Sequence, residues 1–124
     1  MAKPKIVESI NLDPTAVKVE SIMDYASRGW LYYSSRQYEK AVNDFRHVLE
    51  VNNDEMDAWY GLGLSLKAAG DTIGAVDAFT SVLGLIGSLT DKQRASVLTR
   101  LVRGQINQIK TGDWNLEKEV WKRS

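Results

Sequence analysis

Few side chains in this 124-residue chain have the type and spacing that catalysis or metal binding needs. The single histidine, His47, has no serine or cysteine partner in a recognisable catalytic motif, and we interpret it as a surface residue. The acidic residues Asp54, Glu55 and Asp57 lack the ligand spacing and the glycine of a calcium loop. Asp54 is better explained as a helix N-cap. We therefore predict no catalytic residues and no metal site.

A cofactor site is not expected either. The segment Gly61–Leu62–Gly63 is similar to a phosphate-binding loop only superficially, because no predicted strand precedes it and it falls within a predicted helix. The chain contains no cysteine, which excludes disulfides, thiolate chemistry and cysteine-ligated metals. The sequence therefore predicts a protein that is not an enzyme and that holds no cofactor.

The composition indicates one folded domain with balanced charge. The chain is 44% hydrophobic and 26% charged, and 16 basic residues balance 16 acidic ones. This balance argues against nucleic-acid binding through phosphate contacts, which needs an excess of lysine and arginine. No uncharged stretch is long and apolar enough to span a bilayer, and no apolar run of signal-peptide length follows the first residues. We expect a cytoplasmic protein without membrane insertion.

The strongest pattern in the sequence is a repeat with a period of 34 residues. Shifting the chain by 34 residues superimposes eight pairs of apolar or small residues. The pairs are Tyr25 with Trp59, Gly29 with Gly63, Ala41 with Ala75, Val42 with Val76, Phe45 with Phe79, Val48 with Val82, Leu49 with Leu83, and Val51 with Leu85. Because apolar residues recur at helical spacing on both sides of a short polar break, each unit is predicted to be a pair of helices.

Glycines at matching positions indicate close packing within each unit. A glycine inside a helix costs about 1 kcal/mol relative to alanine, so we expect Gly29 and Gly63 to permit a close approach to Ala41 and Ala75 of the second helix. The phenylalanine of each unit should fill the space toward the neighbouring unit. At the break of the second unit, Gly70 suits the left-handed conformation that ends a helix. Its counterpart in the first unit, one period earlier, is an arginine at position 36.

These units resemble tetratricopeptide repeats, whose motif runs aromatic, Leu-Gly, aromatic, Gly-Asp-aromatic, Ala, Phe or Tyr, and Ala. The second unit, 56–89, matches at Trp59, Leu62, Gly63, Gly70, Asp71, Ala75 and Phe79. The first unit, 22–55, matches at Tyr25, Gly29, Tyr32, Tyr38, Ala41 and Phe45. It departs from the motif at Arg28, where leucine is usual, and at Arg36, where glycine is usual. The resemblance implies an all-α, right-handed superhelix of antiparallel helical hairpins with about six helices.

Sequence upstream of the two clear units predicts an end-closing helix. We expect an N-terminal extension over 1–13 and a repeat domain over 14–124. Asp13 and Pro14 have the types of an N-cap and a first helical residue. They predict a helix that runs from Pro14 to about Ser35.

Downstream of them, residues 90–124 read as a degenerate third unit. Thr90 and Gln93 have the spacing of a capping box. Gly112–Asp113 repeats the Gly70–Asp71 pattern 42 residues later instead of 34, so the first helix of this unit should be extended by about two turns. A short second helix should follow, with these residues inward: Leu116, Val120 and Trp121.

The resemblance also implies a function, which is binding another protein on the concave face formed by the first helix of each unit. Carried over position by position, the candidate partner-binding residues are Met23, Trp30, Tyr33, Tyr60, Leu64, Lys67, Arg94 and Leu98. Family members that grip chaperone tails carry a clamp of lysine, asparagine and arginine. The corresponding positions here are Ala26, Trp30, Gly61, Asp91 and Ala95. That clamp is absent.

Two interpretations of Trp30 and Tyr33 remain open. Both residues are predicted to lie away from the helix face that carries Gly29. The chain's own first dozen residues or its C-terminal helix could cover them, or they could bind an apolar or amphipathic segment of another protein. We expect a protein-binding adaptor, assembly factor or chaperone-like protein without nucleic-acid partners. The alternative is a structural subunit that forms a homodimer or larger homo-oligomer through the same aromatic face.

Overall fold

The computed structural model describes residues 21–112 together with Pro14 and Val19. Within this part the chain forms five α-helices and no strand, which confirms the all-α class. The helices are α1 (Ile22–Ser34), α2 (Tyr38–Val51), α3 (Met56–Ala69), α4 (Thr72–Ile86) and α5 (Lys92–Thr111). The predicted extension over 1–13 and the predicted sixth helix, with Leu116, Val120 and Trp121, lie outside the described residues.

Consecutive helices pack on one another along the chain. Each helix contacts the next, and α1 also touches α3. Because the connections between helices are short, α1 with α2 and α3 with α4 form two helical hairpins. Helix α5 then packs on α4. The hairpins that the 34-residue period predicts are therefore confirmed.

Three helix starts differ from the sequence predictions. Helix α1 begins at Ile22 rather than at Pro14, because Val19 and Ser21 are not helical. The Asp24 carboxylate accepts a hydrogen bond from the backbone N–H of Ser21 at 3.0 Å, which starts the helix at this point. This Ser–Asp signal is present in the sequence, and the prediction of one continuous helix from Pro14 to about Ser35 is wrong.

The other two corrections concern caps. Helix α5 is capped by Asp91, whose carboxylate accepts from the backbone N–H of Arg94 at 3.1 Å, and not by Thr90. A carboxylate at a helix N-terminus also interacts favourably with the helix dipole, which favours Asp91 over its neighbour. Asp54 does not cap α3, because its own N–H donates to Asn52 Oδ1 at 3.1 Å in the preceding turn. The N-cap of α3 is Glu55.

The ends of the first helices follow the repeat. Gly70 ends α3 with φ 95°, and Gly112 ends α5 with φ 76°. Arg36 takes the same left-handed conformation after α1, with φ 66°, although it has a side chain. Helix α5 has 20 residues against 14 in α3. These six extra residues are roughly two turns, whereas the offset in the sequence predicts eight; that the helix belongs to an extended third unit stays a prediction.

The core is built on two fully buried phenylalanine rings that lie against glycine backbone. A Cβ added to Gly63 would lie 2.5 Å from Phe79 Cε1, and one added to Gly61 would lie 2.5 Å from Phe45 Cζ. At Gly29 the nearest atom would be Phe45 Cε1, at 3.1 Å. At all three positions the nearest atom belongs to a phenylalanine ring, so the glycines make room for an aromatic side chain. Phe45 also joins the two hairpins, as expected, because it contacts a glycine of each.

Arg28, the departure from the leucine of the motif, forms an ion pair across the first hairpin. Its Nε and Nη2 donate to the two carboxylate oxygens of Asp44, both at 2.8 Å. Asp44 is only 2% exposed, so this bidentate pairing satisfies a carboxylate that would otherwise be buried alone. The hydrogen bond to Asp44 raises the pKa of Arg28, which stays charged. The pair replaces the apolar contact that Leu62 makes in the second unit.

The glycine–phenylalanine packing predicts opposite effects for two glycine-to-alanine changes. Gly63→Ala should lower the free energy of unfolding by about 1–3 kcal/mol, because its Cβ would collide with the buried Phe79 ring. Gly84 is the matched control, since it is also helical but has open space around its Cα. Gly84→Ala should raise the free energy of unfolding by up to about 1 kcal/mol. Urea titrations measure both, and a stabilised Gly63→Ala would contradict the packing.

A second prediction concerns Ser65, which is fully buried in α3. Its hydroxyl has no hydrogen-bond partner in the described part of the chain. Because an unsatisfied buried hydroxyl is costly, Ser65→Ala should raise the free energy of unfolding by about 1 kcal/mol or more. Ser96→Ala, at an exposed position of α5, should add only the gain in helix propensity, about 0.5 kcal/mol or less. Thermal melts of both variants test this, and an equal shift would count against it.

Candidate functional site

Five of the predicted site residues belong to one surface, formed by α1 and α3. Trp30 and Tyr33 lie one turn apart on α1, and Tyr60, Leu64 and Lys67 follow each other at four- and three-residue steps on α3. Such steps place side chains on the same side of a helix. We call these five residues the aromatic face. All five side chains are half-buried, so each keeps a part that another molecule can contact.

The α1 half of the aromatic face rests on the core. The Trp30 ring meets Phe45 edge-on, with centroids 5.0 Å apart, and the Tyr33 ring at 6.2 Å. Tyr33 in turn lies 5.6 Å from the ring of Tyr38 on α2. The sequence predicts that Trp30 and Tyr33 lie on a helix face that is not used for packing. In the structure both residues pack against the edge of the hydrophobic core. Aromatic pairs at these distances hold one another in defined orientations.

The α3 half approaches α1 through its tyrosine. The Tyr60 ring packs on Phe79 with centroids 5.6 Å apart, and Tyr60 is close enough to Tyr33 to influence its ionisation. Burial raises the pKa of Tyr33 above its usual value, and the neighbouring Tyr38 and Tyr60 hydroxyls raise it further. Tyr33 is therefore a neutral hydroxyl at physiological pH, able to donate and to accept hydrogen bonds.

A polar network links the aromatic face to α5. Lys67 Nζ donates to Gln105 Oε1 at 2.7 Å and also to Gln108 Oε1. Gln105 Nε2 donates to the Tyr60 hydroxyl at 3.2 Å. Burial lowers the pKa of Lys67. These contacts connect α3 and α5 across the surface.

Sequence reasoning missed the two glutamines. The 34-residue offset carries Lys67 onto Leu101, and the extended part of α5 has no counterpart in the shorter units. A usable signal was present, because steps of three and four residues from Leu98 lead through Leu101 to Gln105 and Gln108 on one side of the helix.

The remaining predicted residues are not brought to the aromatic face by any contact among the described residues. Met23 is 61% exposed, at the start of α1. Arg94 is exposed in the first turn of α5, and Leu98 is half-buried and packs against the core. Their part in binding stays a prediction.

The residues that could have supported other chemistry lie elsewhere. His47 is exposed, stacks on the Tyr25 ring at 4.7 Å and has its Nδ1 3.6 Å from Glu50 Oε1, which confirms it as a surface residue. Gly61 and Gly63 lie in the middle of α3, as predicted. The described residues contain no cluster of three side chains suited to a metal ion. None of the helices in 21–112 combines the length and hydrophobicity that a bilayer-spanning segment needs.

Comparison with known families gives one match. Residues 25–55 match the family model of the tetratricopeptide repeat. This segment covers most of α1, all of α2 and the turn that leads to α3. It includes Gly29 and Phe45, whose contact sets the packing of the hairpin. A search of curated proteins finds no significant match to the chain.

The burial of Tyr33 predicts a dependence of stability on alkaline pH. Its pKa is raised in the folded chain, so the folded state holds the phenolic proton more tightly than the unfolded state does. This contribution is fully present below pH about 10 and is lost as the pH rises from there through the folded-state pKa. Tyr33→Phe has no such proton, so its free energy of unfolding should fall less steeply than that of the wild type. Urea titrations at a series of alkaline pH values test this, and parallel curves would contradict it.

Proposed function

We propose that the chain, whose residues 25–55 match the tetratricopeptide repeat, is a non-enzymatic module that binds an apolar or amphipathic segment of another protein on its aromatic face. The proposal rests on that face, in which three aromatic side chains and a leucine from two helices in contact are half-exposed, with Tyr33 of α1 near Tyr60 of α3. Large aromatic side chains supply much of the binding energy of protein interfaces.

The chemistry of the surface supports binding rather than catalysis. Its groups are indole, phenol, aliphatic, amide and ammonium, and these act by burial and hydrogen bonding. A segment laid across α1 and α3 would bury its apolar side chains against Trp30 and Leu64 and could hydrogen-bond to the tyrosine hydroxyls. An adaptor, an assembly factor and a chaperone-like protein would all use this same mode of capture.

The test uses the immobilised full-length protein and a random-peptide phage library, followed by affinity measurements on synthetic copies of the enriched peptides. Trp30→Ala should weaken binding by roughly 30-fold or more, the effect of losing an aromatic anchor worth about 2 kcal/mol. Because Trp30 also packs on Phe45, a loss of binding could reflect a loosened fold. The melting temperature of this variant is therefore measured alongside.

A charge-introducing pair separates binding from folding. Leu64→Glu places a carboxylate on the aromatic face and should abolish binding while the helical circular dichroism is retained. Because Leu64 also packs against the core, the melting temperature of this variant is measured as well. Ile73→Glu makes the same kind of change on α4 at a residue that is 79% exposed and outside the face, and it should bind as the wild type does. Equal behaviour of the two variants would contradict the proposal.

Self-association through the aromatic face is the competing function. Light scattering on the purified chain distinguishes the two. A homodimer that Leu64→Glu converts to a monomer, without any peptide enriched, would establish the structural role instead. A wild-type monomer that binds peptides supports the module.

A further inference from the structure

Lys67 carries a charge that the described part of the protein leaves without a counter-charge. Its side chain is half-buried as a whole, and the hydrogen-bond partners of its ammonium group are the two neutral amide oxygens of Gln105 and Gln108. No ion pair joins it to a carboxylate of the described residues. Arg28 differs, because it is also half-buried but is paired with both oxygens of Asp44. A buried cation normally has such a partner.

Hydrogen-bonding capacity also remains at this point of the aromatic face. An ammonium group has three N–H donors, and Lys67 uses two of them on the glutamines. The Tyr60 hydroxyl accepts from Gln105 Nε2, and its own proton has no acceptor among the described residues. One positive charge, one N–H and one O–H are therefore available on the same polar network. A single carboxylate group matches this set in charge and in acceptor oxygens.

We infer that Lys67 anchors an aspartate or glutamate side chain of the bound segment, so that the aromatic face takes apolar segments that carry an acidic residue. This inference rests on the proposed function and defines the chemistry of its partner. A neutral or basic segment would cover the Lys67 ammonium without neutralising it, and the cost of that burial discriminates against such segments.

The position of Lys67 favours a side-chain carboxylate over the terminal carboxylate of a peptide. Helix α3 is the middle one of the three first helices, with α1 in contact on one side and α5 bonded to Lys67 on the other. A segment that contacts Trp30 on α1 and reaches Lys67 can therefore continue toward α5. Its carboxylate at Lys67 then belongs to a residue within the segment.

The first arm of the experiment selects peptides from a random phage library on the full-length wild type and on Lys67→Met. Methionine keeps an unbranched apolar side chain and removes the charge. Peptides enriched on the wild type should carry aspartate or glutamate beside aromatic or aliphatic residues, and this acidic preference should vanish on Lys67→Met. Lys40→Met is the matched control, because it removes an exposed lysine of α2 outside the aromatic face. It should keep the preference.

The second arm is a double-mutant cycle with the strongest peptide and its Glu→Gln or Asp→Asn version. On the wild type the amide version should bind about tenfold more weakly, whereas on Lys67→Met the two versions should differ by less than about twofold. A purely structural role of Lys67 predicts the same loss on both proteins, and that result would overturn the inference. An amide cap on the peptide's C-terminus that weakens binding more than the side-chain change would also overturn it.

The outcomes separate this inference from the proposed function. Enriched peptides that depend on Leu64 but show no acidic preference leave the binding module standing and reject the role of Lys67. A selection that enriches no peptide at all rejects both. That result would be expected if the chain's own residues 1–13 or a second copy of the chain occupied the face.

Discussion

The fold depends on the contact between a phenylalanine ring and glycine backbone. Phe45 lies against Gly29 of its own hairpin and Gly61 of the next, so one ring sets both the spacing within a hairpin and the spacing between hairpins. Phe79 repeats the first of these contacts at Gly63. Because glycine has no side chain, the ring touches the helix directly, and a methyl group added at Gly61 or Gly63 would collide with it. Gly29 and Gly63 lie one period apart and therefore allow two units of different sequence to pack alike.

The same two phenylalanine rings hold side chains of the aromatic face in position. Trp30 packs edge-on against Phe45, and Tyr60 packs on Phe79, so the partly exposed aromatic residues sit directly on the buried ones. A ring held in this way loses little conformational freedom when a partner covers it, and less of the interaction energy is spent on ordering it. The contacts that bring the helices together thus also prepare the surface that they expose.

The sequence predicts the hairpins well because their apolar and small residues recur every 34 positions. The left-handed ends at Gly70 and Arg36 follow from the same alignment, although Arg36 shows that position can override residue preference. Helix starts were predicted less well, because adjacent residues compete for each cap. At α5 the Asp91 carboxylate is used instead of Thr90, and at α3 Asp54 belongs to the preceding turn, so that Glu55 is the N-cap. The glutamine network on α5 was missed for another reason. Gln105 and Gln108 lie in the extension that breaks the period, so no alignment could carry them over, and their link to Lys67 is visible only when α3 and α5 are placed side by side.

The two half-buried cations show what this architecture does with charge. Asp44 neutralises Arg28 through two hydrogen bonds, and this pairing joins the two helices of the first hairpin. The opposite charges cancel, so little electrostatic field extends beyond the pair. Amide oxygens hold the Lys67 ammonium in position, but within the described residues they leave its charge uncompensated. A bridge that served only to join α3 to α5 would not need that charge, since a neutral donor could bond to the same glutamines without the cost of burying an ion. The charge of Lys67 is therefore consistent with the acidic side chain that we propose to bind there, because the other side chains of the aromatic face are uncharged.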